Sequence, residues 1–272
     1  MRFTAIGWNL FHGRDFPPDP ALLTWRSRLL GIEERNASHV QVNRDLSHEF
    51  AAMLAGAAWD VALLQETPPR FAALLASACG AEAHRALTSR NSFAALRTAA
   101  ARLNPDLIAS GEGGSNLTLV RASSPLGRIV ERRELAIHEG KPERRAMAFT
   151  RTAAGICVAN LHATNDQPAL AAEDVLLAAR AATEWAGEAP LLFGGDLNLR
   201  PAEDPAVFEQ LDSRFGLVGQ TGPRAIDHLL TRGLTVVEPT APWPPERREI
   251  DRDGLSLRLS DHTPIEASLE AR

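Results

Sequence analysis

A length of 272 residues allows the chain to bury a large core, and a formal net charge of −5 argues against a protein that binds nucleic acid through overall positive charge. That charge does not exclude a nucleic-acid enzyme, whose positive field can be local or supplied by a metal. No apolar run approaches the length of a membrane span. Because MRFTAIGWNL leads straight into a strand-like pattern, without the segments of a secretory signal, we expect a cytoplasmic protein.

The N-terminal part predicts two strands that each end in a polar side chain. Residues 2–10 alternate between apolar and polar positions, which predicts a strand with Asn9 at its exit. Residues 61–64 form a continuous apolar run, typical of a strand covered on both faces, and Glu66 follows it. A helix is expected to begin near Thr67, because two prolines come next.

Residues 11–43 are irregular, with no clear periodicity until residues 22–30, and are expected to form a long insertion or lid-like loop. The segment could line a substrate groove or merely cover a sheet edge, and the sequence favours neither. The side chains that would face such a groove are His12, Arg14, Arg26 and Arg28.

The middle of the chain predicts further strands. Residues 91–114 are ambiguous and could hold a short helix and a glycine-containing loop. The expected strands span residues 115–121, 128–137, 145–151 and 155–161, and the expected helices span residues 44–57 and 168–185. The last of these strands runs directly into His162 and Asn165. The cysteines, Cys79 and Cys157, match no metal-binding spacing and are expected to be reduced.

Residues 191–193 form another short apolar run, which ends at Gly194 and Gly195. Asp196 and Asn198 follow immediately, so a carboxylate and an amide are presented together at a strand exit. Considered alone, this stretch is better explained as a turn with a side-chain-to-backbone bond. A functional interpretation depends on the same pattern elsewhere in the chain.

The C-terminal part repeats that pattern. Asp227 lies near the start of a strand predicted over residues 226–230, and Asp261 and His262 precede the final strand. We also expect a helix over residues 205–215, strands at residues 234–237 and 255–259, and a proline- and charge-rich loop over residues 239–253. Without repeats or linkers, residues 1–272 are expected to form a single domain with three or four helices.

Each polar residue at these strand ends has an ordinary explanation as a turn residue, a helix-terminal acid or a satisfied core histidine. Together they gather carboxylates, amides and histidines at strand ends, where open α/β sheets bind ligands. Oxygen atoms of Glu66, Asp261 and Asn9 suit a hard cation such as Mg²⁺. A pair of His262 with Asp227 would favour the imidazolium. Such a set suits metal-assisted attack of water on a phosphoester.

Short motifs occur in the order seen in one known family. They are WNL at residues 8–10, LLQE at 63–66, NLHATN at 160–165, GGDLN at 194–198, IDH at 226–228 and SDH at 260–262. On these motifs the chain resembles the endonuclease/exonuclease/phosphatase superfamily, over residues 3–269. The resemblance implies an α/β fold, a four-layer α/β sandwich with two mixed β-sheets packed face to face and helices on the outside. It also implies dependence on Mg²⁺ or Mn²⁺.

The resemblance implies roles for matching residues. Glu66 would be the principal metal ligand, helped by Asn9 and, from the other sheet, by Asp261. Asp196 would orient or deprotonate the attacking water, and Asn198 would lie beside it on the scissile phosphate.

The histidines would act on the phosphate. His262, supported by Asp227, would stabilise the pentacovalent phosphorane or act as the base. His162 would contact the phosphate or act as general acid, and Asn165 would bind a phosphate oxygen.

Two further residues align loosely with substrate-side positions of the family. They are Arg145 and Asn116. The presence of Arg145 is explained equally well if it simply lies on a charged strand edge. Two observations argue against a base-excision repair endonuclease, which is one branch of this family. Members of that branch have an N-x-D-G sequence at the first motif, which this chain lacks. They also have a tyrosine at the position of His162, whereas this chain contains no tyrosine.

The expected function is metal-dependent hydrolysis of phosphodiesters, as a nuclease. An alternative is a phosphatase or phosphodiesterase acting on a small phosphorylated metabolite or lipid headgroup, which the net negative charge favours somewhat. A catalytically silent binding module is a further alternative, against which the intact motif residues argue. The expected partner is a nucleic acid or small phosphodiester substrate, without a membrane or protein partner, and the chain is expected to be a monomer.

Overall fold

The computed structural model describes residues 1–89, 91–140 and 143–271. In chain order its strands are β1 (Arg2–Asn9), β2 (Glu34–Arg35), β3 (Val40–Gln41), β4 (Val61–Gln65), β5 (Ala81–Leu87), β6 (Ser115–Arg121), β7 (Ile129–His138), β8 (Arg145–Thr152), β9 (Cys157–His162), β10 (Leu191–Asp196), β11 (Asp227–Arg232), β12 (Thr235–Pro242), β13 (Glu249–Arg252), β14 (Leu255–Arg258) and β15 (Ile265–Glu270). Its helices are α1 (Trp25–Leu30), α2 (Ser47–Gly56), α3 (Phe71–Cys79), α4 (Ala94–Leu103), α5 (Pro105–Ile108), α6 (Pro168–Ala186) and α7 (Pro205–Phe215).

The larger strands form two mixed sheets. The six-stranded sheet has the order β12-β15-β1-β4-β6-β5, and the five-stranded sheet has the order β11-β10-β9-β8-β7. Each sheet has one parallel pair, β1 with β4 and β9 with β10, whereas the other neighbours are antiparallel. Because parallel strands end at the same edge, each of these pairs presents two strand exits side by side.

Apolar side chains explain the layered packing. In β4, Leu63 belongs to the core between the two sheets, together with Leu192 of β10. Its neighbour Leu64 faces the other way, into a core shared with Phe71 of α3. On the outer face of the five-stranded sheet, Val175 of α6 packs in a third core. The continuous apolar run at residues 61–64 therefore has both faces covered, and the predicted four-layer α/β sandwich is confirmed.

The segment of residues 11–43 is not the loop without regular structure that we expected. It contains two short 3-10 turns, α1 and the β2–β3 hairpin. Only α1 falls where the sequence shows periodicity, at residues 22–30, and the other elements are too short to produce a pattern. Bridges from Asp15 to Leu259 and from His39 to Ser256 attach it to the C-terminal part of the chain. The segment is thus a folded insertion.

Other sequence predictions need correction. Residues 239–253 are not a loop, because β12 continues to Pro242 and β13 begins at Glu249. The prolines are accepted because β12 is an edge strand, where backbone donors are not needed on the outer side. The expected count of three or four helices is also wrong, since α1, α4 and α5 add short helices. None of the helices in the described ranges is long and apolar enough to span a membrane.

The placement of Asp261 also differs from expectation. Asp261 precedes β15, which pairs with β1, so it comes from the same sheet as Asn9 and Glu66 and not from the other sheet. The motif order along the chain does not reveal this, because the final strand returns to pair with the first.

Candidate active site

The exits of the two parallel strand pairs meet at one edge of the sandwich. β1 ends at Asn9 and β4 runs into Glu66, whereas β9 ends at His162 and β10 ends at Asp196. Across the gap between the sheets, Asn9 Nδ2 donates a hydrogen bond to Asp196 Oδ2 over 3.0 Å. The Nε2 atom of His162 lies 3.5 Å from Asp196 Oδ2 and 3.9 Å from Glu66 Oε1. Residues that are distant in sequence therefore surround one buried carboxylate.

His262 and Asp227 complete this group from the other side. Asp227 lies directly opposite Asp196 in the β10–β11 pairing. The His262 Nδ1 atom is 2.9 Å from Asp227 Oδ2, and its Nε2 atom is 3.7 Å from Asp196 Oδ2. The His262 backbone is also held, because its N–H donates to Ser260 Oγ and its carbonyl accepts from the Trp8 indole. The ring is thus fixed between two carboxylates.

Burial and neighbouring charges set the protonation of this group. Burial raises the pKa of Asp196 to about 7, against the attraction of His262. Burial also disfavours the charged form of His262, but Asp227 and Asp196 outweigh it and hold the His262 pKa well above its usual value. Burial, with the positive charge of Arg145, lowers the His162 pKa well below its usual value. At neutral pH, His262 is therefore cationic and His162 is neutral.

The neutral His162 ring is oriented by its neighbour. Arg145, buried in β8, has Nη1 3.3 Å from His162 Nδ1. Because a guanidinium has only donors, Nδ1 accepts and the ring proton resides on Nε2. That proton points towards Asp196 and Glu66. Arg145 Nη2 also donates to the Asn165 Oδ1 atom over 3.4 Å, which links it to the exposed rim of the site.

Glu66 stands beside a residue of the folded insertion. His12 Nε2 lies 3.1 Å from Glu66 Oε2, so one of the side chains that we considered for a substrate groove belongs to this site. Loss of hydration and the negative charge of Glu66 raise the pKa of Asp261, despite the attraction of His262. Glu66 and Asp261 thus lie close enough to repel one another.

The donor set fits a divalent cation. Glu66 and Asp261 supply carboxylate oxygens, and Asn9 Oδ1 accepts from the Phe11 N–H over 2.9 Å while keeping a second lone pair. A hard cation such as Mg²⁺ or Mn²⁺ between these oxygens would remove the repulsion that raises the Asp261 pKa. A second group that could hold an ion has its ligand atoms within 4.8 Å of one another, and it consists of Asp196, Asp227 and His262.

Left-handed backbone conformations mark the same edge. Glu66 has φ 45°, Asn198 has φ 52° and Ser260 has φ 60°, values that side-chain-bearing residues rarely adopt. Each such residue costs about 1–3 kcal/mol and persists where its surroundings enforce it. The Ser260 hydroxyl donates to the Asn9 carbonyl over 2.6 Å, which ties this turn to the exit of β1. The strain therefore coincides with the meeting point of the strand ends.

Asn198 and Asn116 make defined contacts with backbone. The Asn198 N–H donates to Asp196 Oδ1 over 3.2 Å, and Asn198 Nδ2 donates to the Ala163 carbonyl over 3.1 Å. Asn116 is fully buried in β6, and its Nδ2 donates to the Ala146 carbonyl over 2.7 Å. Asn116 thus holds the strand that carries Arg145 and is itself covered by protein.

Sequence reasoning missed a polar clamp beneath the site. Gln65 Nε2 donates to Asn160 Oδ1 over 2.7 Å, which connects β4 of one sheet with β9 of the other. Asn160 Nδ2 is within hydrogen-bond distance of the carbonyls of Leu64 and Leu117. The available signal was a polar residue within one apolar run, Asn160, and a polar residue directly after another, Gln65. Such a residue is buried only when a partner satisfies it.

Two cavities open beside residues that contact Asp196. The first, of about 200 Å³, is called the catalytic cleft here and is lined by His12, Glu66, Thr88, Ser89, Ser110, Glu143, Arg145, His162 and Asn165. The second, of about 340 Å³, includes Asp227, Asp261 and His262 in its lining. Since Asp196 contacts both His162 and His262, it lies between them.

Comparison with known proteins agrees with this geometry. The model of the family described as the Endonuclease/Exonuclease/phosphatase family matches residues 6–262. A search of curated proteins finds no match.

Solved structures of similar fold cover the whole length of the chain. An endonuclease/exonuclease/phosphatase family protein from Bacteroides thetaiotaomicron is 13% identical with a TM-score of 0.65, over 100% of this chain and 98% of that one. A mannosyl-6-phosphatase from the same organism is 14% identical with a TM-score of 0.64, over 98% and 99%. Truncated TDP2 from Caenorhabditis elegans is 15% identical with a TM-score of 0.60, over 100% and 98%. At such identities the similarity concerns the fold.

Proposed function

The chain belongs to the endonuclease/exonuclease/phosphatase family, and from that premise we propose that it is a metal-dependent nuclease that hydrolyses phosphodiester bonds with water. Hydrolysis of phosphoesters is the chemistry shared by the activities in the family's name. The observation that carries the proposal is the contact of Asp196, at the end of β10, with three residues: Asn9 at the end of β1, His162 at the end of β9, and His262, which precedes β15. A purely structural carboxylate would not need such neighbours.

Asp196 is proposed to orient the attacking water and accept its proton. A general base works best when its pKa lies near the working pH, and burial brings the pKa of Asp196 to about 7. Both carboxylate oxygens are already held, Oδ2 by Asn9 and Oδ1 by the Asn198 N–H. The carboxylate is therefore oriented before the substrate arrives.

His262 is proposed to stabilise the negative charge that develops on the phosphorane. Of the two roles expected for it, its raised pKa supports the cationic one over that of base, because a protonated ring has no free lone pair. His162 has a lowered pKa and donates from a neutral Nε2–H. This supports a contact with the phosphate over the role of general acid.

Glu66, Asn9 and Asp261 are proposed to hold the cation. Mg²⁺ or Mn²⁺ would supply a Lewis acid for a phosphate oxygen when bound there. Arg145 and Asn165 are proposed to bind the remaining phosphate oxygens, because Arg145 is a buried guanidinium in the wall of the catalytic cleft. Asn116 contributes only through the strand that carries Arg145.

A second candidate acts on a smaller substrate, a phosphorylated metabolite or a lipid headgroup. The net charge of −5 favours it, because tight binding of nucleic acid needs several basic contacts with phosphates. A neighbour of similar fold is described as a mannosyl-6-phosphatase, which acts on a small phosphorylated compound. The cytoplasmic location and the monomeric state stay predictions from the sequence.

The decisive experiment measures hydrolysis of bis-p-nitrophenyl phosphate and of labelled single- and double-stranded DNA. Each substrate is tested with Mg²⁺, with Mn²⁺ and with chelator, for the wild type and for Asp196→Asn. Metal-dependent cleavage of DNA that is absent in Asp196→Asn supports the nuclease, and its rate should fall steeply as salt rises. Cleavage of the small diester alone, insensitive to salt, supports the second candidate. Equal turnover by Asp196→Asn on any substrate contradicts the mechanism.

A further inference from the structure

A buried carboxylate on α6 has no part in the chemistry described above. Asp174 is only 1% exposed, whereas the other buried residues of α6 are apolar, all of them alanine except Val175. A charged side chain at such a position is unfavourable unless neighbouring groups compensate for it. An apolar side chain would avoid that cost, so the contacts of the carboxylate need an explanation.

One oxygen of Asp174 holds the chain between two of the proposed phosphate ligands. Asp174 Oδ2 accepts a hydrogen bond from the Thr164 N–H over 2.8 Å and another from the Thr164 hydroxyl over 2.7 Å. Thr164 is itself buried and lies between His162 and Asn165, in the segment that links β9 to α6. Helical side chains point back towards the N-terminus of their helix, which explains how Asp174 reaches this segment. The segment is thus fixed to the second turn of α6.

The other oxygen of Asp174 contacts the strand next to Arg145. Asp174 Oδ1 lies 2.5 Å from His138 Nε2. His138 ends β7 and stands directly opposite Arg145 in the pairing of β7 with β8. Because Arg145 begins β8 and lines the catalytic cleft, this contact connects α6 to the strand pair that carries the guanidinium.

A single carboxylate therefore joins the two stretches of chain that supply the phosphate-binding groups of the cleft. The groups themselves touch only loosely, since Arg145 Nη1 is 3.3 Å from His162 Nδ1 and Arg145 Nη2 is 3.4 Å from Asn165 Oδ1. Both distances exceed the usual range for hydrogen bonds of this kind. Such contacts fix the relative positions of these side chains weakly, so a separate connection between their backbones matters.

Taking the proposed phosphodiester hydrolysis and its phosphate ligands as given, we propose that Asp174 is a positioning residue for the phosphate of the substrate. It does not line the cleft and acts through the two chain segments that it connects. By holding Thr164 with one oxygen and His138 with the other, it sets the separation of His162 from Arg145. The buried carboxylate thus serves the geometry of the cleft.

The test measures binding of inorganic phosphate by calorimetry in Mg²⁺, at a temperature at which every variant is folded. Asp174→Ala removes both contacts and should bind phosphate about tenfold or more weakly than the wild type, because small displacements of positioned groups have large effects. Asp174→Asn keeps an acceptor for Thr164 and should restore most of the affinity. Equal affinity of the wild type and Asp174→Ala overturns the inference, as does a wild type that binds no phosphate.

Variants of Thr164 test the same connection from the other side. Thr164→Val has the shape of threonine without the hydroxyl, so it loses one of the two hydrogen bonds to Asp174 and should weaken phosphate binding less than Asp174→Ala does. Thr164→Ser keeps the hydroxyl and should bind phosphate as the wild type does. A greater loss of affinity in Thr164→Ser than in Thr164→Val contradicts the proposed connection.

Val175→Ala is the matched control for a loss of stability. Val175 follows Asp174 on α6 and packs in the apolar core on the outer face of the five-stranded sheet. Its truncation leaves a cavity and should lower the melting temperature, while the folded protein keeps its affinity for phosphate. If phosphate affinity fell equally in Val175→Ala and Asp174→Ala, the loss would follow from general destabilisation and the inference would be wrong.

The metal response gives a second readout. Asn9 ends β1 and Glu66 follows β4, and both strands belong to the six-stranded sheet, whereas Asp174 contacts segments of the other sheet. Mg²⁺ should therefore raise the melting temperature of Asp174→Ala as much as that of the wild type. Loss of this response together with the phosphate affinity would mean that the whole edge had been disrupted, which overturns a specific role in positioning phosphate.

The two proposals fail in different ways. Phosphate binding that depends on Asp174, without hydrolysis of any diester by the wild type, removes the proposed function and leaves the positioning role. Metal-dependent hydrolysis, with equal phosphate affinity of the wild type and Asp174→Ala, leaves the proposed function and removes the inference.

Discussion

The Asp196 carboxylate is shaped by contacts that fix each of its oxygens separately. Asn9 holds Oδ2, the Asn198 N–H holds Oδ1, and His262 approaches Oδ2 at 3.7 Å. These contacts come from three different segments of the chain. The carboxylate is therefore oriented correctly only when all three segments have come together at this edge of the sandwich. An amide at position 196 would keep the shape of the side chain but could not accept a proton from water.

We therefore expect Asp196→Asn to lower kcat by roughly 10²–10⁴-fold, the usual contribution of a positioned base. Its melting temperature should stay close to that of the wild type, because a buried carboxylate with a raised pKa gives little stability. His262→Ala should also lose most activity, because the group that would stabilise the phosphorane is removed. Steady-state kinetics and thermal denaturation measure both quantities.

Asp60→Asn is the matched control for this substitution. Asp60 also accepts a hydrogen bond from a strand residue, from the Thr4 N–H over 2.8 Å, but it precedes β4 at the end opposite to Glu66. Its replacement should reduce stability by at most about 1 kcal/mol and leave kcat unchanged. If Asp196→Asn and Asp60→Asn had the same kcat, the role given to Asp196 would be wrong.

Asp15 predicts a pH dependence of stability. Burial raises its pKa in the folded chain to about 8, from its ordinary value of 3.8. Between those pH values the folded chain keeps a proton that the unfolded chain has lost. The free energy of unfolding of the wild type therefore falls as pH rises from about 4 to about 8 and changes no further above that. The loss is on the order of a few kcal/mol.

The amide in Asp15→Asn does not titrate, so this variant should lack that loss. Urea denaturation of both proteins at pH 5 and pH 8.5 measures the effect. We expect the variant to gain stability relative to the wild type at the higher pH. A constant difference between the two proteins across this range would mean that Asp15 ionises normally in the folded chain.

Among the elements, β10 has neighbouring backbones very close to its two glycines. A Cβ atom added at Gly194 would overlap the His228 carbonyl in β11, and one added at Gly195 would overlap the Leu161 carbonyl in β9. Gly195 also has φ 123°, which side-chain-bearing residues rarely adopt. Gly194→Ala and Gly195→Ala should each lower the free energy of unfolding by at least about 2 kcal/mol. Chemical denaturation measures this loss.

Gly56→Ala is the control for the glycine substitutions. Gly56 lies at the end of α2, and a Cβ atom added there meets nothing within 4 Å. Alanine has the higher helix propensity, so this variant should be unchanged or stabilised by up to about 1 kcal/mol. Equal stability of Gly195→Ala and Gly56→Ala would show that β10 can move away from β9.

The sequence predicted elements well where burial on both faces leaves a continuous apolar run, as at residues 61–64 and 191–193. It failed for β5, which carries Glu82 and Arg85 and lies at a sheet edge, where few positions must be apolar. It also failed for the β2–β3 hairpin, because two residues in each strand are too few for a periodic pattern. At α1 a periodic pattern over residues 22–30 was visible, but six helical residues were too few to predict a helix from it. Most of the regular structure in the folded insertion was therefore not predicted.

At the scale of the whole molecule, the site depends on strand order, which a single sequence does not encode locally. The motif residues could be recognised one by one, but their meeting requires β1 to pair with β4 and β9 with β10. Asp261 is an example of what the sequence alone could not predict. It belongs to the same sheet as Asn9 only because the final strand, β15, pairs with the first, β1. His12 shows another limit, because its contact with Glu66 requires a left-handed turn, φ 54°, directly after the first motif.

The assembled edge concentrates negative charge that only the folded chain brings together. Glu66 and Asp261 come from loops nearly two hundred positions apart in sequence, so the unfolded chain has no comparable site. A divalent cation that binds them must therefore stabilise the fold, by about 2.7 kcal/mol at a concentration one hundred times its Kd. For a chain of this size we expect the melting temperature to rise by several degrees in Mg²⁺ or Mn²⁺, and chelator should reverse the rise.

A double variant separates binding from general screening of charge. Without metal, Glu66→Gln with Asp261→Asn should melt at or above the wild-type temperature, because mutual repulsion is removed. With metal, its melting temperature should no longer rise. Glu184→Gln, an exposed acid paired with Arg180 on α6, should respond to metal as the wild type does. A full metal response in the double variant would assign the ion to other residues, and no response in the wild type would favour the silent binding module.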